Sequence, residues 1–244
     1  MMRVDELRAA LALPPGDDTG AGVVFDRVET DSRTLVPGAL FVALRGDNFD
    51  GHDFVAAAAE RGAAAALVDR GWFAKQSRQS LTLPVVVVDD TRIALGQLAE
   101  RWRARFRIPL IGVTGSNGKT TVKEMCAAIL RAQAVREGAS AEDVLATGGN
   151  FNNDIGLPLT LCRLRAHHRA AVIEMGMNHP GEIAYLTHIA RPTVAVVNNA
   201  QRAHLEGMGS VQQVAEEKGT IYAGLGDDGV AVINADDPHA DYWR

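Results

Sequence analysis

Short apolar runs alternate with helix-type patterns through the second half of the chain. The apolar runs fall at residues 108–111, 170–175, 193–197 and 230–233. Continuous apolar strands that are separated by helices are typical of a parallel sheet covered on both faces. We therefore predict an α/β fold whose second part is a phosphate-loop type of sheet, mostly parallel and flanked by helices.

The first part of the chain predicts a smaller α/β domain. Its helices are rich in alanine, which favours close packing of helix on sheet. The expected strands and helices are strands at 23–28, 39–44, 63–68 and 83–88, a helix at 53–61 that ends at Gly62, and a connecting helix at 91–105. We place the domain boundary near residue 84, which gives domains at 1–84 and 85–244.

Residues 112–121 read Gly-Val-Thr-Gly-Ser-Asn-Gly-Lys-Thr-Thr between a predicted strand and a predicted helix. This context is typical of a phosphate-binding loop, because loop amides and the helix dipole both attract an anion. Lys119 would contact the terminal phosphates, and Thr120 would offer its hydroxyl to Mg²⁺. Val113 stands where the strict motif has its first glycine, so an ordinary turn with an exposed lysine is the alternative. The predicted nucleotide-binding residues are Gly115, Ser116, Asn117, Gly118, Lys119, Thr120 and Thr121.

Three further polar residues, Glu174, His204 and Lys218, are considered as parts of the same site. Glu174 ends its strand, where a carboxylate facing a phosphate loop would need a cation such as Mg²⁺ between them; a capping or exposed glutamate is the alternative. His204 follows the next strand and is either a solvated loop histidine or a ligand. Lys218, taken from the residues alone, reads as a solvated lysine on a helix face.

Two polar stretches are candidates for substrate contacts. Both also have the composition of ordinary turns, in which asparagine, aspartate and glycine are favoured. The guanidinium of Arg33 suits a diphosphate or a uracil ring. The candidate residues are Asn150, Asn152 and Asn153 in the second part, and Asp31, Ser32 and Arg33 in the first.

Composition narrows the class of protein. The 244 residues are 47% hydrophobic, which supports a packed core, and the net charge of −5 has no basic cluster that would suit nucleic acid. The start lacks the apolar segment of a signal peptide, and no apolar run approaches membrane-spanning length. We expect a monomeric cytoplasmic protein whose two cysteines are buried thiols.

Taken together, these segments resemble the Mur ligase family over the whole chain. Residues 150–156, 174–176 and 198–205 resemble, in particular, the branch of the family that joins D-alanyl-D-alanine to UDP-MurNAc-tripeptide. The segments that carry the resemblance are residues 31–33, 50–54, 114–120, 150–156, 174–176 and 198–205.

The resemblance implies an ATP- and Mg²⁺-dependent amide ligase of peptidoglycan precursor synthesis, with an N-terminal UDP-substrate domain and a central ATP-binding domain. ATP would phosphorylate the substrate carboxylate, and the amine would attack the acyl phosphate. Glu174 and His204 would bind Mg²⁺, and Lys218 would be a carbamylated lysine that serves a second Mg²⁺. The family's Rossmann-like C-terminal domain has no counterpart in this chain, so we expect a fragment that folds without ligating.

Two alternatives remain open at this point. One is another amide ligase of the same superfamily, such as the enzyme that adds the third stem-peptide residue or a folylpolyglutamate synthetase. The other is a nucleotide-binding or UDP-sugar-binding module without ligase chemistry.

Overall fold

The computed structural model describes residues 1–14, 20, 22–76, 82–202 and 205–244. These residues divide into two units, Met1–Arg101 and Trp102–Arg244, each with its own sheet. The strands are β1 Met2–Arg3, β2 Val24–Phe25, β3 Arg27–Glu29, β4 Ala39–Val42, β5 Ala65–Asp69, β6 Val85–Val88, β7 Leu110–Thr114, β8 Val144–Ala146, β9 Ala170–Glu174, β10 Val194–Val197 and β11 Val230–Ile233. The α-helices are α1 Val4–Ala10, α2 Val55–Glu60, α3 Arg70–Phe73, α4 Thr91–Arg103, α5 Lys119–Arg136, α6 Gly156–Leu161, α7 Glu182–Ala190, α8 Leu205–Met208, α9 Val211–Gly219 and α10 Ala240–Trp243.

The first unit is built on a four-stranded parallel sheet in the order β3-β4-β5-β6. All residues of β4 and β5 are buried, as expected of central strands that are covered on both faces. Phe41, Val55, Ala58 and Val68 form part of the core between this sheet and helix α2. A separate antiparallel pair, β1 with β2, has only two residues in each strand, too few to give a periodic signal.

The division between the units differs from the boundary expected near residue 84. Strand β6 pairs in parallel with β5, with Ala66 opposite Val85 and Asp69 opposite Val88, so it completes the first sheet. Contacts therefore divide the chain between Arg101 and Trp102, near the end of α4. An apolar strand after a proline gives no local indication of which sheet it will join.

The second unit is a five-stranded, fully parallel sheet in the order β11-β10-β7-β9-β8. Val113 of β7 packs with Ala127 of helix α5. The neighbouring Gly112 points to the other face, where an added Cβ would lie 3.3 Å from Ile221 of the 3₁₀-helix Thr220–Gly224. Since successive strand residues face opposite sides, both faces of the sheet are covered, and the predicted α/β class is confirmed.

Helix α5 buries only part of its apolar surface, and its most buried stripe includes a lysine. Met125 and Ile129 are 59% and 67% exposed, whereas Lys123 and Ala127 are fully buried. Residues four apart share a helix face, so the buried stripe runs through positions 123 and 127. Hydrophobicity alone cannot identify a face that contains a buried lysine.

Neither a disulfide nor a membrane-spanning helix occurs in the described ranges. Cys162 is buried and Cys126 partly buried, and both are free. Burial raises the pKa of the Cys162 thiol to about 12, which keeps it protonated and unreactive. None of the described helices is both long enough and apolar enough to cross a bilayer.

Arg103 stabilises the start of the second unit through backbone carbonyls. Its side chain is 5% exposed, and its Nε donates to the carbonyl of Ala190 at 3.0 Å. Its two terminal nitrogens donate to the carbonyls of Phe106, Ile108 and Arg191. Burial lowers the pKa of this guanidinium, and four carbonyls accept its hydrogen bonds.

We expect Arg103→Leu to lower the free energy of unfolding by about 3 kcal/mol, because it removes a donor from one buried and three partly buried hydrogen bonds. Urea denaturation measures the loss. The exposed Arg101→Leu serves as a control with a similar change of side chain and should cost less than about 0.5 kcal/mol. Equal losses in the two variants would contradict this role.

Candidate functional site

The turn after β7 has a backbone that requires glycine at two positions. Gly115 has φ +156° and Gly118 has φ +72°, and helix α5 begins at the next residue, Lys119. A Cβ at Gly118 would lie 2.9 Å from the side-chain nitrogen of Asn198, and one at Gly115 would lie 3.0 Å from the Asn198 Cβ. The first amides of a helix have no partner within the helix, so this turn presents them to an anion.

The turn is fixed to the loop that follows β10. The amides of Ser116 and Asn117 donate to the backbone and side-chain oxygens of Asn199, at 2.9 and 3.0 Å. Asn198 donates back to the Asn117 carbonyl at 2.8 Å, and the Ser116 hydroxyl bonds the backbone of Gln201. These bonds hold the turn in one shape before any ligand binds.

Lys119 folds back over this turn. Its Nζ donates to the carbonyl of Gly115 at 2.9 Å. Burial lowers the pKa of the amine, and the negative charge of Glu174 partly opposes that shift. The lysine is therefore held within the turn, where it can meet an incoming phosphate. Thr121 lies exposed on the first turn of α5.

Glu174 is the buried acid of the site. It ends β9, directly beside β7 in the sheet, and is 2% exposed. Its Oε2 accepts a bond from the Thr120 hydroxyl at 2.9 Å, and its Oε1 accepts one from the Asn152 side chain at 2.8 Å. Such burial excludes the alternative of an exposed glutamate, and the carboxylate faces the phosphate loop as predicted.

Lys218 is fully buried in helix α9, so the interpretation as a solvated lysine is wrong. Its Nζ has no hydrogen-bond partner among the described residues. Desolvation, and then the neighbouring charge of Lys119, lower the pKa of Lys218 to about 7, with Glu217 opposing. A buried amine without a partner, beside a second amine, indicates a site that a ligand or a modification completes.

The oxygen donors at the site fit Mg²⁺. Thr120 and Glu174 bring a hydroxyl and a carboxylate together, and Mg²⁺ commonly takes one or two such oxygens, with substrate phosphates and waters completing its shell. No cluster of three or more His, Cys, Asp or Glu side chains occurs within the described ranges. His204 lies outside the described residues, so its predicted role as a ligand stays a prediction.

The three candidate asparagines have different surroundings. Asn152 contacts Glu174 through its side chain, and its carbonyl accepts the Gly176 amide at 2.8 Å. The Asn153 side chain accepts the amide of Gly156, the first residue of α6, at 2.8 Å. Asn150 is exposed. Of the three, Asn152 is the one whose side chain bonds the Glu174 carboxylate.

The remaining candidates, Asp31 to Arg33, belong to the first unit and follow β3. Asp31 accepts bonds from the backbone amide and guanidinium of Arg33, at 2.7–3.2 Å. These bonds lower the pKa of Asp31 to about 2. Ser32 is buried, while the Arg33 side chain is 85% exposed and so accessible to a ligand.

Sequence reasoning missed two buried residues at the site. Lys123 donates to the Thr147 carbonyl at 2.9 Å, and the Thr147 hydroxyl accepts the Glu174 amide at 3.0 Å. Lys123 follows Lys119 by one helical turn, a spacing that could have indicated a shared face. Thr147 gives no comparable signal, because it opens a stretch with the composition of a turn.

Two family profiles match the chain. "Mur ligase family, catalytic domain" covers residues 25–103, and "Mur ligase middle domain" covers residues 113–244. The chain belongs to the Mur ligase family. The family predicted from the phosphate loop and its neighbouring motifs is thereby confirmed.

Relatives within the Mur ligase family are similar over almost all of this chain. The UDP-N-acetylmuramoyl-tripeptide–D-alanyl-D-alanine ligase of Haemophilus influenzae is 48% identical over 222 residues, which are 91% of this chain and 46% of the relative. The crystal structure of MurF from Acinetobacter baumannii matches with a TM-score of 0.82 at 35% identity, over 99% of this chain and 50% of that one. MurF ligase from Thermotoga maritima in complex with ADP matches with a TM-score of 0.75 at 34% identity, over 88% of this chain and 47% of that one. The chain thus spans about half the length of the relatives it matches.

The Lys218 amine makes stability depend on pH. Between pH 7 and 10.5 the unfolded chain binds more protons than the folded one, so the free energy of unfolding rises with pH across that window and is lowest below it. We expect Lys218→Met to be more stable than the parent by a few kcal/mol at pH 7, with the gain fading toward pH 10.

Urea titrations at several pH values, in CO₂-free buffer with a metal chelator, measure this difference. The exposed Lys75→Met is the matched control and should leave the pH dependence unchanged. A Lys218→Met variant with the parent's stability at every pH would show that the amine is not desolvated.

Proposed function

We propose that this chain carries the nucleotide and metal site of an ATP-dependent amide ligase that joins D-alanyl-D-alanine to UDP-MurNAc-tripeptide in peptidoglycan precursor synthesis. The observation that carries the proposal is the pairing of Thr120 with Glu174 beside the phosphate loop, in a chain of the Mur ligase family. The names of the relatives, one of them solved with ADP, support the substrates and the use of ATP.

The chain's own residues would act by positioning and by neutralising charge. The amides at the start of α5 bind the phosphates, and the ammonium of Lys119 stabilises negative charge as the γ-phosphoryl group moves to the substrate carboxylate. The amine of D-alanyl-D-alanine then attacks the resulting acyl phosphate, which forms the amide and releases phosphate. Asn150, Asn152 and Asn153 lie in the loop that would hold the muramoyl-peptide arm near the transferring group.

Thr120 and Glu174 would hold Mg²⁺, with His204 as a proposed further ligand. Bound Mg²⁺ would neutralise part of the negative charge on the phosphate oxygens. We assign a carbamate to Lys218: its neutral amine attacks CO₂, forms an N–C bond and loses a proton. This change replaces a buried amine with an anion that offers oxygens to a metal. A pKa of about 7 leaves enough neutral amine for the step at physiological pH.

In the first unit, Asp31, Ser32 and Arg33 are proposed contacts for the UDP moiety. The exposed guanidinium of Arg33 can donate to a diphosphate, while Asp31 holds it in place. Another amide ligase of the superfamily would share the phosphate chemistry but not the substrates. A phosphate-release assay on the complete protein, in which the UDP-sugar peptide and the amine are exchanged in turn, discriminates between these ligases.

Lys119→Ala tests the phosphate site. We expect isothermal titration of the 244-residue chain with ADP and Mg²⁺ to show at least a tenfold weaker affinity, because a charged contact to phosphate is lost. In the complete protein the same change should abolish turnover while the melting temperature stays close to that of the parent.

Lys75→Ala, which removes an exposed lysine of the first unit, is the matched control and should bind ADP as the parent does. If Lys119→Ala also retains the parent's affinity and activity, the turn at residues 115–121 is not the phosphate site.

Lys218 is tested by substitution and chemical rescue in the complete protein. Lys218→Ala should lose most turnover, and a short carboxylic acid in the buffer should restore part of it by replacing the carbamate. Lys218→Arg should also lose most turnover, since arginine supplies a cation where the carbamate would supply an anion. The parent incubated with ¹³C-bicarbonate should show a carbamate resonance that is missing from Lys218→Ala. Full activity in Lys218→Arg would refute the assignment.

A further inference from the structure

Lys123 is a buried lysine that the proposed chemistry does not use. It lies on helix α5 and is 1% exposed. Its Nζ donates to the carbonyl of Thr147 at 2.9 Å and also to the carboxylate of Glu124, which is itself 58% exposed. Burying an ammonium costs several kcal/mol unless its bonds compensate, so a fully buried lysine on this helix calls for a reason.

Thr147, which Lys123 contacts, uses three of its polar atoms to join neighbouring elements. It follows β8 and is 2% exposed. Its amide donates to the Val172 carbonyl at 3.0 Å, its hydroxyl accepts the Glu174 amide at 3.0 Å, and its carbonyl accepts from Lys123. The residue therefore fixes the backbone at the point where β9 ends and the Glu174 carboxylate begins.

These bonds close into a ring. Thr120 bonds the Glu174 carboxylate, the Glu174 amide bonds Thr147, and Thr147 bonds Lys123. Lys123 returns to Thr120 through one turn of α5, because residues three apart share a helix face. Helix α5 is thus joined to the end of β9 at two points. Thr120 bonds the side chain of Glu174, and Lys123 is connected to the Glu174 backbone through Thr147.

We propose that Lys123 is a positioning residue, acting through Thr147 to hold the Glu174 carboxylate against Thr120 for a nucleotide-bound divalent cation. This inference rests on the proposed function. The Lys123 ammonium donates its hydrogen bonds to Thr147 and Glu124. It therefore acts on the position of the metal ligand, and the proposed contact with phosphate is left to Lys119. Groups that orient metal ligands from behind commonly contribute about 10- to 100-fold to metal affinity.

The test separates the metal-dependent part of nucleotide binding from the rest. ADP is titrated into the 244-residue chain with a chelator and again with Mg²⁺, and the ratio of the two affinities is the metal enhancement. Lys123→Met keeps the length of the side chain but removes its donor. Thr147→Val removes the hydroxyl acceptor at nearly constant volume, and Thr147→Ser restores it. Glu124→Gln removes only the exposed partner of Lys123.

We expect Lys123→Met and Thr147→Val each to reduce the metal enhancement about tenfold or more, with unchanged affinity for metal-free ADP. Thr147→Ser and Glu124→Gln should keep the parent's enhancement. The double variant Lys123→Met with Thr147→Val should lose no more metal enhancement than the more affected single variant, because both changes break the same ring of hydrogen bonds. The Val and Ser variants at position 147 keep the test decisive if Lys123→Met does not fold.

Three results would overturn the inference. Undiminished metal enhancement in Thr147→Val, together with Lys123→Met where it folds, would show that the ring does not position the carboxylate. An equal loss of metal-free and metal-bound affinity would assign Lys123 to the phosphates instead. A parent chain that binds no ADP under either condition would remove the proposed function together with this inference, whereas the first two results leave the proposed function standing.

Discussion

The second unit depends on one buried carboxylate. Glu174 is 2% exposed at the end of a strand, and a buried carboxylate is tolerable only where hydrogen bonds or cations compensate for lost water. Here the hydroxyl of Thr120 and the amide of Asn152 donate to its two oxygens. The carboxylate therefore ties together the phosphate-loop helix and the asparagine loop. Parallel strand order makes this possible, because β7 and β9 are neighbours whose carboxyl ends reach the same edge.

Two buried lysines show how differently the protein treats the same charge. Lys123 donates to a carbonyl and a carboxylate, so its ammonium is compensated within the fold. Lys218 has no hydrogen-bond partner among the described residues, and burial lowers its pKa to about 7. An amine left without a partner next to the Lys119 charge lowers the stability of the unliganded fold. A structural lysine would be expected to resemble Lys123, and the contrast supports the proposed role of Lys218 at the site.

The sequence was sufficient where chemistry and periodicity agree. Residues 112–121 predicted a strand, a glycine turn and a helix in that order, which the structure shows, and the four apolar runs predicted β7, β9, β10 and β11, four of the five strands of the second sheet. The sequence was insufficient where contacts between distant parts of the chain decide the structure. Strand β6 joined the first sheet because its partner β5 lies there, so the expected boundary fell too early. The burial of Lys218 and Lys123 likewise arises from packing, since nothing in a helix with charged neighbours distinguishes a buried lysine from a solvated one. Thr147 was missed for a related reason: its three bonds are to residues distant in sequence.

The charges at the site also constrain what can bind there. Lys119 and Lys218 bring two amines whose pKa values are lowered by burial, and the carboxylates of Glu174 and Glu217 oppose those shifts only in part. Nucleotide phosphates would raise both pKa values and draw protons into the site. A carbamate on Lys218 would instead add a second anion, which phosphates would repel unless a divalent cation lay between them. A phosphate ligand and a modified Lys218 are therefore compatible only together with metal. The pairing of Thr120 with Glu174 supplies oxygens that such a cation would require, so the proposed metal, nucleotide and carbamate would form one electrostatic unit.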